Sequence, residues 1–440
     1  MTRSVPTRLF ALIPALLALS PALAQADSLH RTGPPEDRLD LVILADGYRA
    51  NEEADFDREA ARVWAEMVKT APFDRYAPMM NVSTGFRASQ RSGSSKNNAY
   101  GTHFAGGFFA TLLRAERASL VLADAVRAGG GEADVVLVIL KGSRRGGTAT
   151  GNVCYVTSGA GPRVAIHELG HSIARLGDEY SGLSGTPRLS REQMAAIYPN
   201  LTLASKRADL PWKDWVAQDQ RIPGGWFTKG VGAFAGGGAY SSGIYRAERR
   251  CRMRTDTPGF CAVCREQLAL AVHERSNPLR LVISGSGSSR RARLEGTMPP
   301  GTWATRWNGV SGSGLEALVP AGTTASVTVE DATTWVRGDL RVGVRYLFNA
   351  ATGSGGRVGG GGQIGQVVGV TSRLRVRSGP STGNAVVGHL PPGATVRVVG
   401  PVNRGFYPVS FNGAVGYVGK DFIRLSGTSR AGMLGALGSR

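Results

Sequence analysis

Lysine is scarce in this chain of 440 residues: 7 of the 52 cationic side chains are lysines, and the rest are arginines. With 33 acidic residues the formal net charge is +19. The arginines are scattered and form no block, the pattern of a solvated basic surface rather than of a nucleic-acid patch, so no nucleic-acid partner is expected. Long hydrophobic runs are lacking too. No stretch approaches the ~18 apolar residues that a bilayer core demands, so no transmembrane anchor is expected. Histidine (6) and cysteine (4) are rare enough that their positions carry information. Glycine is the exception, at 61 residues. It follows no Gly-X-Y period, which excludes collagen and points to Gly-rich loops and linkers. With 42% hydrophobic residues the chain can bury more than one core, and its length suits two or three domains.

The N-terminus carries Arg3 and Arg8, an apolar stretch from Leu9 to Leu19 broken by Pro14, and Ala22-Leu23-Ala24 before Gln25. A basic segment, a short apolar segment and a small-x-small step are the pattern of a secretory signal peptide over residues 1–24. A secreted protein, periplasmic or extracellular, is therefore expected, cleaved near Ala24. Loss of Arg3 and Arg8 leaves +17, which favours acidic surfaces such as an anionic cell envelope. Export makes Cys154, Cys251, Cys261 and Cys264 candidates for disulfides. A four-thiolate structural zinc site is the rival, because Cys261-Ala-Val-Cys264 has knuckle-like spacing.

Downstream, LDLVIL (39–44) predicts a strand, Glu52 to Lys69 a helix, Met80 to Phe86 a strand, Phe108 to Ala128 a second helix and Asp134 to Leu140 a third strand. Asn152 to Thr157 predicts one more strand, at an edge of the sheet. Alternation of this kind describes an α/β layered domain. From Leu279 the helical period gives way to short alternating strands, the pattern of a small β-sandwich over 279–348. Residues 349–366 are dominated by glycine and suggest a linker. A compact strand-rich module follows at 367–425, and then a poorly patterned tail at 426–440.

The chemistry concentrates in His167-Glu168-Leu169-Gly170-His171, inside an apolar, helix-compatible run from Val164 to Ala174. Residues four apart share a helix face, so His167 and His171 can present imidazoles to one Zn²⁺. Glu168 is placed to act as general base on a metal-activated water. Catalytic zinc takes three protein ligands. Gly177 is expected to end the helix in a left-handed turn that swings Asp178 back as the third ligand. Glu179, and Glu192 on a possible helix starting at Ser190, are the alternatives. Tyr240 and Tyr245 are candidate hydrogen-bond donors to a substrate or oxyanion. His103 is a surface or cleft-lining histidine.

The stretch VAIHELGHSIARLGDEY, the N-terminal LVILADGY and the segment YRAERRCRMRTDTPGFCAVC (Tyr245 to Cys264) together resemble the M64 peptidases, zinc metallopeptidases named for an immunoglobulin A peptidase. The resemblance spans roughly residues 38 to 345. It implies a metzincin-like α/β catalytic domain over residues 25–278, one catalytic Zn²⁺, a cleft beside the His-Glu-x-x-His helix, and a methionine turn at Met253. Two positions differ from the metzincin spacing: Ala174 stands in place of a glycine, and the acidic residue comes one position later.

At the C-terminal end, VRSGPS (376–381), Pro392-Gly393 and GAVGYV (413–418) resemble the bacterial SH3 domain, a small β-barrel. That family often binds cell-wall peptides, although Phe406 or Tyr407 stands where it usually carries tryptophan. Together these readings predict a secreted zinc endopeptidase tethered to an envelope-binding barrel, acting on protein or peptide substrates. The alternatives are a non-catalytic envelope-binding protein or adhesin with a structural metal site, and a peptidase of peptidoglycan cross-links.

Overall fold

The structure is a computed structural model that describes residues 27–425 apart from 107–110, 132, 182–188, 226, 256, 258, 287, 298–302, 324, 351–352, 354, 359–363, 371, 380, 399–404 and 412–413. The segment read as a signal peptide and the tail at 426–440 lie outside the described residues. The chain opens with β1 (Asp27–His30), β2 (Leu39–Asp46), α1 (Glu53–Met67), α2 (Phe73–Tyr76), β3 (Met80–Gly85), β4 (Thr102–Phe104), β5 (Leu113–Ala115), α3 (Ala118–Ala128) and β6 (Val135–Leu140). It continues through β7 (Gly147–Thr150), β8 (Val153–Thr157), α4 (Pro162–Ala174), α5 (Arg191–Ile197), β9 (Leu201–Thr202), β10 (Phe234–Gly237), β11 (Tyr240–Arg246) and α6 (Ala262–Arg275).

Six of these strands form one sheet in the order β1-β3-β2-β6-β8-β7. The inner four are parallel, and β1 and β7 close the two edges antiparallel. The unbroken apolar run of β2 follows from burial on both faces. Leu39, Leu41, Ile43 and Ala45 join a core with α1 and α4, whereas Val42 and Leu44 join another with Val121 and Ala125 of α3. Helix α1 buries Phe56, Ala60, Val63 and Met67, spaced four, three and four, so one stripe faces the sheet. Burying a side chain the size of Phe56 contributes about 1.5–3 kcal/mol.

Two expectations are corrected here. Strand β8 is not at the edge; the outermost strand is β7, whose Gly-Thr-Ala-Thr sequence has no apolar alternation to betray it. Helix α3 starts at Ala118 rather than Phe108, because Leu113–Ala115 is instead consumed by pairing with β4.

Two four-stranded sheets follow. One contains Leu279–Ser284, Ser289–Gly296, Glu316–Pro320 and Gly312–Ser313, the other Trp303–Asn308, Ser326–Asp331, Arg345–Asn349 and Gly355–Val358. They bury one shared cluster that includes Leu281, Leu294, Val327, Val329, Tyr346 and Phe348. Asp331 ties this unit to the first: it accepts from Arg75 Nη2 at 2.6 Å and Tyr76 Oη at 2.8 Å, and lies 3.2 Å from His273 Nε2 of α6.

Strand Gly355–Val358 falls inside the stretch read as linker, and so does Ile364–Val367, which joins the seven-stranded C-terminal sheet. Backbone ladders need no side-chain pattern, so glycine-rich strands escape a periodicity search. Only 359–363 separate these two strands. The C-terminal sheet is antiparallel around Val376, Val396, Val398, Val409 and Val418. No helix among the described residues is long and apolar enough to cross a membrane.

Candidate metal centre and active site

Helix α4 carries the histidines. Pro162 opens its first turn, where the missing N–H costs nothing, and most of its length is buried against β8, α1 and α6. The line through His167 and His171 is the partly open side. The two Nε2 atoms are 3.2 Å apart, and Asp178 Oδ1 lies 3.1 Å from His167 Nε2 and 3.3 Å from His171 Nε2. Three donors at 2.0–2.1 Å from a tetrahedral zinc would be separated by roughly 3.3–3.4 Å. These three atoms therefore fit one face of such a coordination shell.

The outer contacts fit as well. His167 Nδ1 donates to the Arg252 carbonyl at 2.9 Å and His171 Nδ1 to that of Leu176, which leaves each Nε2 lone pair free to face an ion. Tyr180 Oη donates to Asp178 Oδ2 at 2.8 Å, fixing the carboxylate that His167 and His171 share. Burial alone would raise the Asp178 carboxyl, but the two imidazoles hold it well below the usual carboxylate range. Burial raises the Glu168 carboxyl, and His171 and His167 only partly offset it.

The left-handed residue that ends α4 is Arg175 (φ 53°), not Gly177. The N–H groups of Arg175 and Leu176 donate to His171 and Gly170. The chain thus turns one residue after Ala174, and the carboxylate facing the histidines comes correspondingly late, at Asp178. Gly177 has a different task. A Cβ there would come 2.7 Å from both Leu201 and Tyr198, and Asn200 grips its backbone through Oδ1 at 2.7 Å and Nδ2 at 2.9 Å.

Met253 is fully buried beneath α4: a Cβ on Gly170, between the two histidines, would lie 2.9 Å from its Sδ. On the other side of the helix β7 runs past Glu168, and a Cβ on Gly147 would overlap Glu168 Oε1.

The remaining candidates lie elsewhere. Tyr240 donates to the Leu189 carbonyl at 2.9 Å with Arg191 over its ring, and Tyr245 packs against the main core. Among the described residues no hydrogen bond links either tyrosine to His167, Glu168, His171 or Asp178. His103 is buried rather than superficial, bonded to Gly101 and Arg114. Glu192 is exposed on α5. Glu179 points away from the histidines into a cluster with Cys251, Cys261 and Cys264.

All four cysteines are free thiols. Cys154 stands apart from the other three, donating to the Glu168 carbonyl at 3.1 Å and to Ser172 Oγ at 3.0 Å. Burial pushes its thiol well above the ordinary range, which makes it an inert core group. Sequence reasoning missed Tyr180, Asn200 and Gly147. Tyr180 ends the quoted motif and could have been found; nothing local marks the other two.

Comparison with known proteins gives the class first, a metallopeptidase. Residues 28–230 match the IgA peptidase M64 family, and residues 372–424 match the bacterial SH3 domain. The N-terminal part of the chain is thus similar to the M64 peptidases, and its C-terminal end to a bacterial SH3 module. No curated protein matches it.

Proposed function

We propose that the chain is a secreted zinc endopeptidase of metzincin-like design, with His167, His171 and Asp178 as metal ligands, Glu168 as general base and Met253 as the methionine turn. The observation that carries this reading is the convergence of His167 Nε2, His171 Nε2 and Asp178 Oδ1 within 3.1–3.3 Å beside a buried carboxylate. Bound zinc supplies Lewis-acid polarisation of the scissile carbonyl and of the attacking water.

The chain's own groups do the rest. Glu168 takes the proton of the attacking water on its carboxylate and delivers it to the departing amine. Tyr180 holds Asp178, while the Arg252 and Leu176 carbonyls hold the two imidazoles in the tautomer that leaves Nε2 unprotonated. Among the described residues strand β7 pairs with β8 alone in its sheet, so its outer edge suits an extended peptide added as another strand. At Gly147 that edge has no side chain to cover Glu168.

Residues 1–24 would direct export, and the SH3 module would hold the enzyme at the cell envelope. Linkage of this kind raises the local concentration of the cleft at the surface without any new catalytic contact.

The deciding experiment is proteolysis of a mixed protein substrate by the purified chain, its Glu168→Gln variant, and chelated enzyme restored with zinc. The reading expects activity in the wild type, none after chelation, recovery with zinc, and activity lowered about 10²–10⁴-fold in Glu168→Gln at unchanged zinc content. Full activity after chelation would overturn it.

A further inference from the structure

We propose that Glu179, Cys251, Cys261 and Cys264 form a second metal centre, a sealed structural zinc site of three thiolates and one carboxylate. One ligand atom from each lies within 4.8 Å of all the others. Glu179, Cys251 and Cys264 are wholly buried and Cys261 is 3% exposed, so no water reaches the donors from the surface. Glu179 Oε1 accepts from Asn200 Nδ2 and Cys264 Sγ, each at 3.1 Å, whereas Oε2 is buried with no hydrogen-bond partner. A buried polar atom without a partner is costly, and a cation at the centre of the cluster removes that cost.

Two of the sulfurs already accept backbone N–H groups. The Cys261 N–H donates to Cys251 Sγ at 3.3 Å, and the Cys264 N–H donates to Cys261 Sγ at 3.5 Å from the first turn of α6. Backbone donors of this kind orient the sulfurs toward one another, as outer contacts do around a bound metal. Zinc–sulfur bonds of 2.3 Å set tetrahedral sulfurs roughly 3.8 Å apart, inside the spread of this cluster. Thiolates select a soft or borderline ion, and three sulfurs with one oxygen suit zinc rather than calcium or magnesium.

A disulfide is the competing use of these cysteines. It would take two of the three sulfurs and leave the third, together with the Glu179 carboxylate, buried without a cation. Four protein ligands close a zinc site, so this centre is not a second catalytic one. It acts on the first through the backbone. Cys251 begins the turn whose Arg252 carbonyl accepts from His167 Nδ1 and whose Met253 carbonyl accepts from the Glu179 N–H at 2.7 Å. Asp178, the carboxylate of the histidine cluster, is the residue before Glu179.

The test is metal analysis with zinc-edge X-ray absorption on the purified full chain, alongside a thiol count in denaturant after chelation. The proposal expects two zinc ions per chain, a zinc–sulfur shell near ~2.3 Å and all four thiols free. In His167→Ala one zinc should be lost while the sulfur shell stays. In the double variant Cys261→Ser, Cys264→Ser the sulfur shell should vanish. The wild-type spectrum is the primary test, since it does not depend on whether that variant folds. A sulfur shell with a single zinc would uphold this centre and count instead against the histidine cluster. A folded wild type whose zinc has no sulfur neighbours, or that yields only two thiols, overturns the proposal.

Discussion

Asp178 and Glu179 are adjacent in the chain, yet they serve clusters of opposite character. The side chains of His167, His171 and Asp178 are 18%, 20% and 28% exposed, whereas Glu179 and the cysteines around it are sealed. The open cluster has nitrogen and oxygen donors beside the buried Glu168 carboxylate and, among the described residues, a sheet edge without a partner strand. The closed one has soft sulfur donors, all of them sealed from the surface. On the proposed roles, reactivity would be separated from rigidity across a single peptide bond. The same ion would be catalytic in one place and structural in the other because of coordination and access.

The largest effect should come from removing the base proposed beside the open cluster. Glu168→Gln keeps the shape and loses the proton acceptor, so kcat should fall about 10²–10⁴-fold with metal content unchanged. Peptidase assays paired with metal analysis check this, and unchanged turnover would break the contrast. Next is Gly147→Ala, whose new methyl would overlap Glu168 Oε1. Displacing a reacting group by about 1 Å costs on the order of 10²-fold, so kcat should fall by about that much while zinc stays bound.

Tyr180→Phe removes the hydrogen bond to Asp178 Oδ2. Affinity for the exposed zinc should drop about 10–100-fold, measured by competition with a chromophoric chelator, and the sulfur-bound zinc should be untouched.

The smallest effect concerns a buried carboxylate that belongs to neither cluster. Glu266, two residues past Cys264 on α6, accepts from the Arg337 N–H at 2.8 Å, and burial pushes its carboxyl from 4.5 to about 7. Between those values the folded state holds the proton more tightly than the unfolded chain, so stability falls as pH rises through that window. Glu266→Gln should therefore stabilise the protein by about 1–3 kcal/mol at pH 8 and by much less at pH 5, as read by urea unfolding at the two pH values. An equal gain at both would show that no proton is involved.

The histidine helix was legible because its information is local: spacing on one face, an apolar run and a glutamate between the two histidines. Strand β2 was legible for the same reason, as an apolar block buried on both sides. The division of labour between Asp178 and Glu179 was not. The sequence offers two adjacent acids, and what separates them is the left-handed Arg175 together with Asn200, which grips the turn from 23 residues beyond Gly177. Cys154 shared a composition argument with the other cysteines, but its partner is α4, a contact that only the sheet topology creates. Strand β7 was invisible because an edge strand of Gly and Thr pairs through its backbone. Its glycine matters for the side chain it does not have.

The five residues 359–363 lie between one paired strand and the next, Gly355–Val358 and Ile364–Val367. Fully drawn out, such a span reaches no more than roughly 20 Å. Were the SH3 module to hold the enzyme at a surface, as proposed, so short a leash would confine the cleft to a shallow shell above it. Which substrates it meets would then depend on address as much as on sequence, and lengthening the leash would widen its diet before any residue of the cleft was changed.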